Sequence, residues 1–561
     1  MQIAGTLLSP IHRPEETCVH RPAAARGLES SSDRQSEIRR VGELRQMGRG
    51  FKALRTEPEP NYDSVVIGAG IGGLLCANLL ARSGLKVLLV EQHFMAGGYC
   101  STFKRNGFVF DSATHFYPLL GNPATLTGKL LVELGVRTSW IKMDPVDQFH
   151  FPDQSSFTVP ADFDTYMLRL KREFPEEDRA IDDFFTLVKR VYLLGLLQYF
   201  RGRPTEQLDP YLKLSVQDAL DSHFRSPKLK LLLTADAGHW GSPPRRTSFI
   251  FDSMLRLAYF LGNYYPRGGS QVFADDLAAC FEEAGGHILM SSLVTRIHVC
   301  DGAARGVEIE TGIGSQRRRI HVHADTIVSN GDLLRTVTCM IPPAAIDPDY
   351  LASLQRLRPT LPCFVTHVGL QGVSTSLLEE VQGYHWSSWN ANDVATNAFK
   401  IFVPTLLEPA MAPPGGHTLI VQKITDIDYA SVDDWPAHKA AVETYISENL
   451  ARVIPNFADH VVVKLSASAH TSQRYTLNHN GAMLGWELAP DQLGCSRPGI
   501  VGPLQNLYLV GHWTQPGGGI TPVMVSAMQV ADKISGTSRR QPQPPLLPAN
   551  ENHPTEAQLL V

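Results

Sequence analysis

The segment from Tyr62 to Glu91 restricts the possible folds of this chain more than any other. Tyr62-Asp-Ser-Val-Val-Ile67 is a short, β-branched apolar run, the composition of a strand buried on both faces. It runs straight into Gly68-Ala69-Gly70-Ile71-Gly72-Gly73, then into a helix-forming stretch at residues 74–82 that stops at Ser83-Gly84. Lys86-Val-Leu-Leu-Val-Glu91 reads as a second parallel strand ending in an acid. Each part has a physical role in a dinucleotide-binding unit. Gly68 permits the tight turn, Gly70 lets a pyrophosphate approach the backbone, and Gly73 lets helix and strand pack closely. The N–H groups around Gly72 at the helix start favour phosphate, and Glu91, about 20 residues on, accepts from a ribose hydroxyl.

Three later segments extend this reading. Gly97-Gly98 follows shortly after Glu91 and leads through a loop into Phe108-Val-Phe-Asp111. Tyr265-Pro-Arg-Gly268-Gly269-Ser precedes a helix ending at Ala284-Gly285-Gly286, and strand-like runs follow at residues 287–290, 294–299, 306–310 and 324–331. Near the C-terminus, Asn506-Leu-Tyr-Leu-Val-Gly511-His512-Trp513-Thr514-Gln515-Pro516-Gly517-Gly518-Gly519-Ile520 is a second strand and glycine loop, entering a helix over residues 523–534. No third such unit is visible, so the chain is read as holding one dinucleotide and no resident nicotinamide.

Taken together these segments resemble the phytoene desaturase family, which includes carotenoid desaturases, carotenoid cis–trans isomerases and retinol saturases. The resemblance spans about 61–120, 264–335 and 472–536. It implies a Rossmann-type FAD-binding domain interleaved with an α+β substrate domain, an α/β fold like that of flavin amine oxidases. It also implies FAD contacts from Gly68, Gly70, Gly72, Gly73, Glu91, Gly97, Gly98, Val294, Gly511, Gly518, Gly519 and Ile520, with Val294 along the adenine side. Some amine oxidase relatives attach FAD through a cysteine of the C-terminal loop. None lies between Gly511 and Lys533, so the flavin is expected to be non-covalent. The pattern departs from the family at Gly98-Tyr99, where Gly-Gly-Arg is frequent, and at Gln515, which replaces a usual histidine. His512 stands where the isomerase and saturase branch often carries an acid.

By the same resemblance the substrate is a long apolar polyene, the reaction carotenoid desaturation or cis–trans isomerisation, and the electron acceptor of a desaturase a quinone or oxygen. Apolar helical candidates at residues 181–200, 228–234 and 249–260 suit a hydrophobic tunnel and peripheral contact with a membrane. His115 and His512 are the acid/base or polyene-contacting candidates, with Tyr117 and Trp513 beside them. Arg474 and Glu487 fit either a place at the site or a buried ion pair. Two other readings stay open: a flavoenzyme of another substrate (a retinoid saturase-like reductase, an amine oxidase or a terpenoid-tailoring enzyme), and a non-catalytic flavoprotein. A polyene enzyme is expected to show almost no polar residue in its pocket.

Composition narrows the rest. The net charge of −5 offers no electrostatic footprint for nucleic acid. The eight cysteines show no CxxC and no metal spacing, which fits a reduced, cytoplasmic protein without a metal. Residues 1–60 read as a disordered extension and 537–561 as a disordered tail. Between them the cofactor domain takes 61–140, 264–335 and 481–536, and the substrate domain 141–263 and 336–480.

Overall fold

The computed structural model describes residues 50–54, 57–312 and 317–536. Nearly all of the expected N-terminal extension and the whole of the expected tail lie outside the described residues.

Two seven-stranded sheets organise the chain. The first has the order Ser292–Cys300, Ala303–Thr311, Arg318–Ser329, Asn61–Ile67, Val87–Val90, His287–Leu289, and Leu507–Leu509 pairs Arg318–Ser329 off that path. The long strand Arg318–Ser329 makes this possible. Its first half pairs antiparallel with Ala303–Thr311, and its last residues pair in parallel with Leu507–Leu509 on the same side. Asn61–Ile67 lies in parallel along its other side. Register sets Ile67 opposite both Ser329 and Val90, and Ser329 opposite Leu509. Four parallel strands therefore end together, and Gly68, Glu91, Asn330 and the loop from Val510 all emerge at one edge. Crevices at the carboxyl ends of parallel strands are where such sheets bind ligands.

The helix Ile71–Arg82 packs behind this edge between the helices Ser270–Glu283 and Ile520–Ser535. Its burial is nearly complete, from Ile71 through Ala81, which is why its sequence lacks a polar face. The helix begins at Ile71, within the glycine loop, because Gly72 and Gly73 sit in its first turn.

The second sheet runs Val461–Ala467, Cys363–Gln371, Gly416–Ile424, Ala398–Phe402, Gly383–Trp386, Asp147–His150, Ser156–Val159, and is antiparallel except where Gly383–Trp386 meets Asp147–His150. The helices Asp178–Gly195 and Phe249–Phe260 pack on each other within a core that includes Phe184, Phe185, Trp240 and Phe249. Asp178–Gly195 continues into one π-helical turn, Leu196–Phe200. Among the described residues no helix is long and apolar enough to cross a membrane.

Candidate active site

A single cavity of about 1000 Å³ connects the edge of the first sheet to the helical region. Gly68, Gly70, Gly72, Glu91, Gly97, Gly98, Val294, Gly511, His512, Gly518, Gly519, Ile520 and His115 all line it. The structure thus brings together His115, His512 and every expected cofactor residue except Gly73, which lies behind the wall. A Cβ on Gly73 would stand 2.0 Å from the main-chain oxygen of Gly68, so this glycine sets the distance between helix and strand. A Cβ on Gly70 would meet only Asn330 Nδ2, at 3.0 Å, leaving the space above it otherwise open. Gly97 has φ +113°, and a Cβ there would fall 2.5 Å from the oxygen of Cys100. Tyr117 is fully buried away from the cavity, and Trp513 packs edge-on against Trp486.

Two helix N-termini open on this space, Ile71–Arg82 capped by Gly70 and Ile520–Ser535 capped by Gly519, and no side chain caps either. Unsatisfied N–H groups and the helix dipole favour an anion at each. Glu91 accepts from Ala69 N at 2.7 Å and His93 N at 2.8 Å, which fixes its carboxylate at the cavity wall. Burial raises the Glu91 pKa, and these N–H contacts oppose the rise. An acid for a ribose, two uncapped helix ends and an open face over Gly70 fit a dinucleotide.

Asn330 and Asn478 tie the loops together. Asn330 Nδ2 donates to Gly68 O at 3.3 Å, and its Oδ1 lies 2.8 Å from where a Cβ on Gly511 would sit. Asn478 Oδ1 accepts from Trp513 Nε1 at 2.9 Å and lies 3.2 Å from His512 Nε2, while its Nδ2 donates to the Tyr99 hydroxyl at 3.3 Å. The His512 imidazole is held neutral, its pKa brought down to about 3 by burial and then by Arg497. Arg474 lines the cavity and lies over the Tyr475 ring, whereas Glu487 pairs with Arg246 at 2.8 Å and Arg358 at 3.3 Å, outside it.

The far part of the cavity is lined by Tyr192, Leu196, Tyr199, Phe200, Ile250, Phe251, Met254 and Leu255. The expectation of almost no polar residue is not met: Arg105, Arg335, His367, Gln422, Lys439 and Arg474 line the cavity, and one further polar group lies nearer its far part. His115, His239 and Tyr259 reach the wall, backed by a buried ion pair in which Lys400 Nζ lies 2.8 Å from Asp147 Oδ2. Burial lowers the Lys400 pKa and raises that of Asp147, and each charge holds the other toward its ionised form. His115 is buried, and desolvation followed by Lys400 lowers its pKa to about 3.

Sequence reasoning missed Asn330, Asn478, Arg497, His239 and Lys400. Asn330 alone carried a local signal, because it directly follows a strand that ends at the cofactor edge. The others come from segments whose meeting no local pattern announces.

The chain is similar to known proteins over most of its length. It is 27% identical over 521 residues to an all-trans-retinol 13,14-reductase of Danio rerio, covering 82% of this chain and 84% of that protein. It is 26% identical over 542 residues to a chloroplastic prolycopene isomerase 1 of an Oncidium hybrid cultivar, covering 90% and 88%. Among solved structures, an oxidoreductase from Methanosarcina mazei superposes with a TM-score of 0.58 at 19% identity over 84% of this chain and 99% of that one. A putrescine oxidase superposes with a TM-score of 0.60 at 14% identity over 86% and 100%; at such identities the likeness is one of fold. A profile of flavin containing amine oxidoreductases matches residues 71–535, from the first helix turn to the end of the last helix, and the chain belongs to that family.

Proposed function

We propose that the protein holds FAD non-covalently along Gly68, Gly70, Glu91, Val294 and Gly518-Gly519 and acts on a long apolar polyene. The observation that carries this reading is the continuity of one cavity from the dinucleotide edge to an aromatic and aliphatic lining. The similarity to enzymes named for a retinol and for prolycopene supports a polyene over an amine.

Bound FAD supplies hydride transfer to or from carbon. The chain's own part is to bind, orient and dry the substrate. The apolar lining excludes water, and the loop tied by Asn478 and Arg497 keeps the cofactor end rigid. His115 and His512 stand as the proton-handling candidates. For net desaturation, the electrons removed pass on to a quinone or oxygen; isomerisation needs no net acceptor. Leu193 and Leu197 are exposed beside the cavity-lining Leu196, which suits contact with a lipid surface through which a polyene arrives.

The test is product analysis by chromatography and mass spectrometry of the flavin-loaded protein, offered polyenes under oxidising and reducing conditions. A mass loss of two hydrogens marks desaturation, a gain marks reduction, and an altered retention at constant mass marks isomerisation. Turnover of amines but not of any polyene would refute the proposal. Flotation with liposomes tests the lipid contact separately, and an L193D/L197D variant that floats as well as wild type would refute it.

A further inference from the structure

The polar group formed by His115, His239 and Tyr259 has a direction. Lys400 is 2% exposed, donates to Asp147, and lies 3.1 Å from His239 Nε2. An ammonium has only hydrogens to give, so His239 Nε2 accepts and Nδ1 carries the ring proton. That Nδ1 faces the Tyr259 hydroxyl oxygen at 3.4 Å, a long contact. Tyr259 therefore receives at its oxygen and keeps its own O–H to donate. The Phe116 ring, with its centroid 4.0 Å from Lys400 Nζ, lines the cavity where the ammonium itself does not. The ion pair thus acts through His239 rather than by touching a ligand.

His115 supplies the complement. Its Nδ1 lies 3.0 Å from Ala113 O, which only accepts, so Nδ1 carries the proton and Nε2 presents a bare lone pair. This nitrogen has no hydrogen-bond partner, and the residue is 3% exposed. The His115 and His239 rings are 5.5 Å apart, and His115, His239 and Tyr259 all line the cavity. The group thus holds a donor without an acceptor and a buried acceptor without a donor.

From this arrangement, and resting on the polyene reading above, we infer that Tyr259 and His115 form a recognition site for a free hydroxyl group on the substrate, oriented by the buried Asp147–Lys400–His239 chain. An alcohol accepts from Tyr259 through its oxygen and donates to His115 Nε2 through its hydrogen. A hydrocarbon matches neither group, an ether matches only Tyr259, and a carboxylate has no hydrogen for His115. An ammonium is opposed by Lys400 behind the wall. Sites that hydrogen-bond a substrate hydroxyl discriminate against analogues lacking it, because their own buried groups are left unpaired.

The experiment uses the full chain with its flavin and measures dissociation constants from quenching of tryptophan fluorescence. Three probes share one polyene: all-trans-retinol, its methyl ether, and the hydrocarbon with hydrogen in place of the hydroxyl. The alcohol is expected to bind about tenfold or more tighter than the hydrocarbon, with the ether between them. Tyr259→Phe is expected to shrink the alcohol-to-hydrocarbon ratio to within about threefold. In the wild-type protein, a ratio below about threefold overturns this inference and leaves the polyene reading standing. A preference that Tyr259→Phe leaves unchanged overturns the assignment to Tyr259. Failure of all three probes to bind flavin-loaded protein overturns the polyene reading, and the inference falls with it.

Discussion

Arg497 donates from its guanidinium to the main-chain oxygen of His512 across 2.7 Å. The same side chain, 2% exposed, reaches the oxygens of Trp486, Glu487 and Thr514 at 3.2, 3.3 and 3.1 Å. A buried cation thus joins main-chain carbonyls at the start of the C-terminal glycine loop to those of the Trp486-Glu487 segment.

Arg497→Met should therefore leave several buried carbonyls without donors. Each such group costs about 1–3 kcal/mol, partly offset by relaxation, so a loss of about 3 kcal/mol or more in unfolding free energy is expected. Denaturant unfolding measures the stability and the flavin absorbance of purified protein measures retention. Both should fall. Native stability in the variant would show that the loop is held by other contacts.

Gly70→Ala and Gly73→Ala should separate cofactor binding from folding. The Gly73 Cβ would enter the main chain at 2.0 Å and demands movement of helix against strand, about 1–3 kcal/mol or more of overpacking. The Gly70 Cβ meets one side-chain nitrogen at 3.0 Å, so the apo protein should fold with nearly wild-type stability. Its methyl group instead occupies space assigned to a pyrophosphate. Flavin affinity should fall at least tenfold in Gly70→Ala, read by equilibrium dialysis; unchanged affinity would remove Gly70 from the cofactor site.

The pair Lys400 and Asp147 should behave as a unit. Lys400→Met leaves a carboxylate buried without its counterion and should cost about 3–5 kcal/mol. Lys400→Met combined with Asp147→Leu should recover much of that loss, because replacing a whole buried pair by apolar groups is often neutral or better. Urea unfolding of the two single variants and the double variant gives the coupling energy. A coupling near zero would mean the pair is already solvated in the native protein.

Acid should weaken the fold through buried neutral histidines. His385 lies 2.8 Å from Val381 O through Nε2 and stacks on His150, and burial followed by His150 lowers its pKa to about 3. In the unfolded chain it titrates near 6.5. Between these values the unfolded state binds the proton and the native state does not, so stability is lost as pH falls through that window. The contribution of this one residue reaches about 2 kcal/mol at pH 5. Asp236, raised to about 7 by burial, acts in the opposite sense and makes whole-protein profiles a poor test. The difference between wild type and His385→Phe isolates the term: the variant should gain on wild type by about that amount between pH 7 and pH 5. A constant difference would indicate that His385 is protonated or hydrated in the native state.

The sequence alone determined the cofactor edge. The strand, Gly68 to Gly73, the helix and Glu91 are contiguous, and each obeys a local constraint of sterics or hydrogen bonding that a short window displays. The same holds for the loop from Gly511 to Ile520, and for the apolar helix over Phe249–Phe260. The hydrophobic run at Ile181 was legible too, but not the π turn Leu196–Phe200 at its end, since one turn of i→i+5 hydrogen bonding is too short to leave a period of its own in the sequence. Tertiary structure decided which polar side chains share the cavity. His115, His239, Tyr259 and Lys400 come from a loop, a short 3₁₀ turn, a helix and the middle of a strand in different parts of the chain. A lysine inside a strand reads locally as a solvent-facing residue. It became a buried cation only because the second sheet places it 2.8 Å from Asp147, and long-range pairing of this kind leaves no trace in the spacing of either segment.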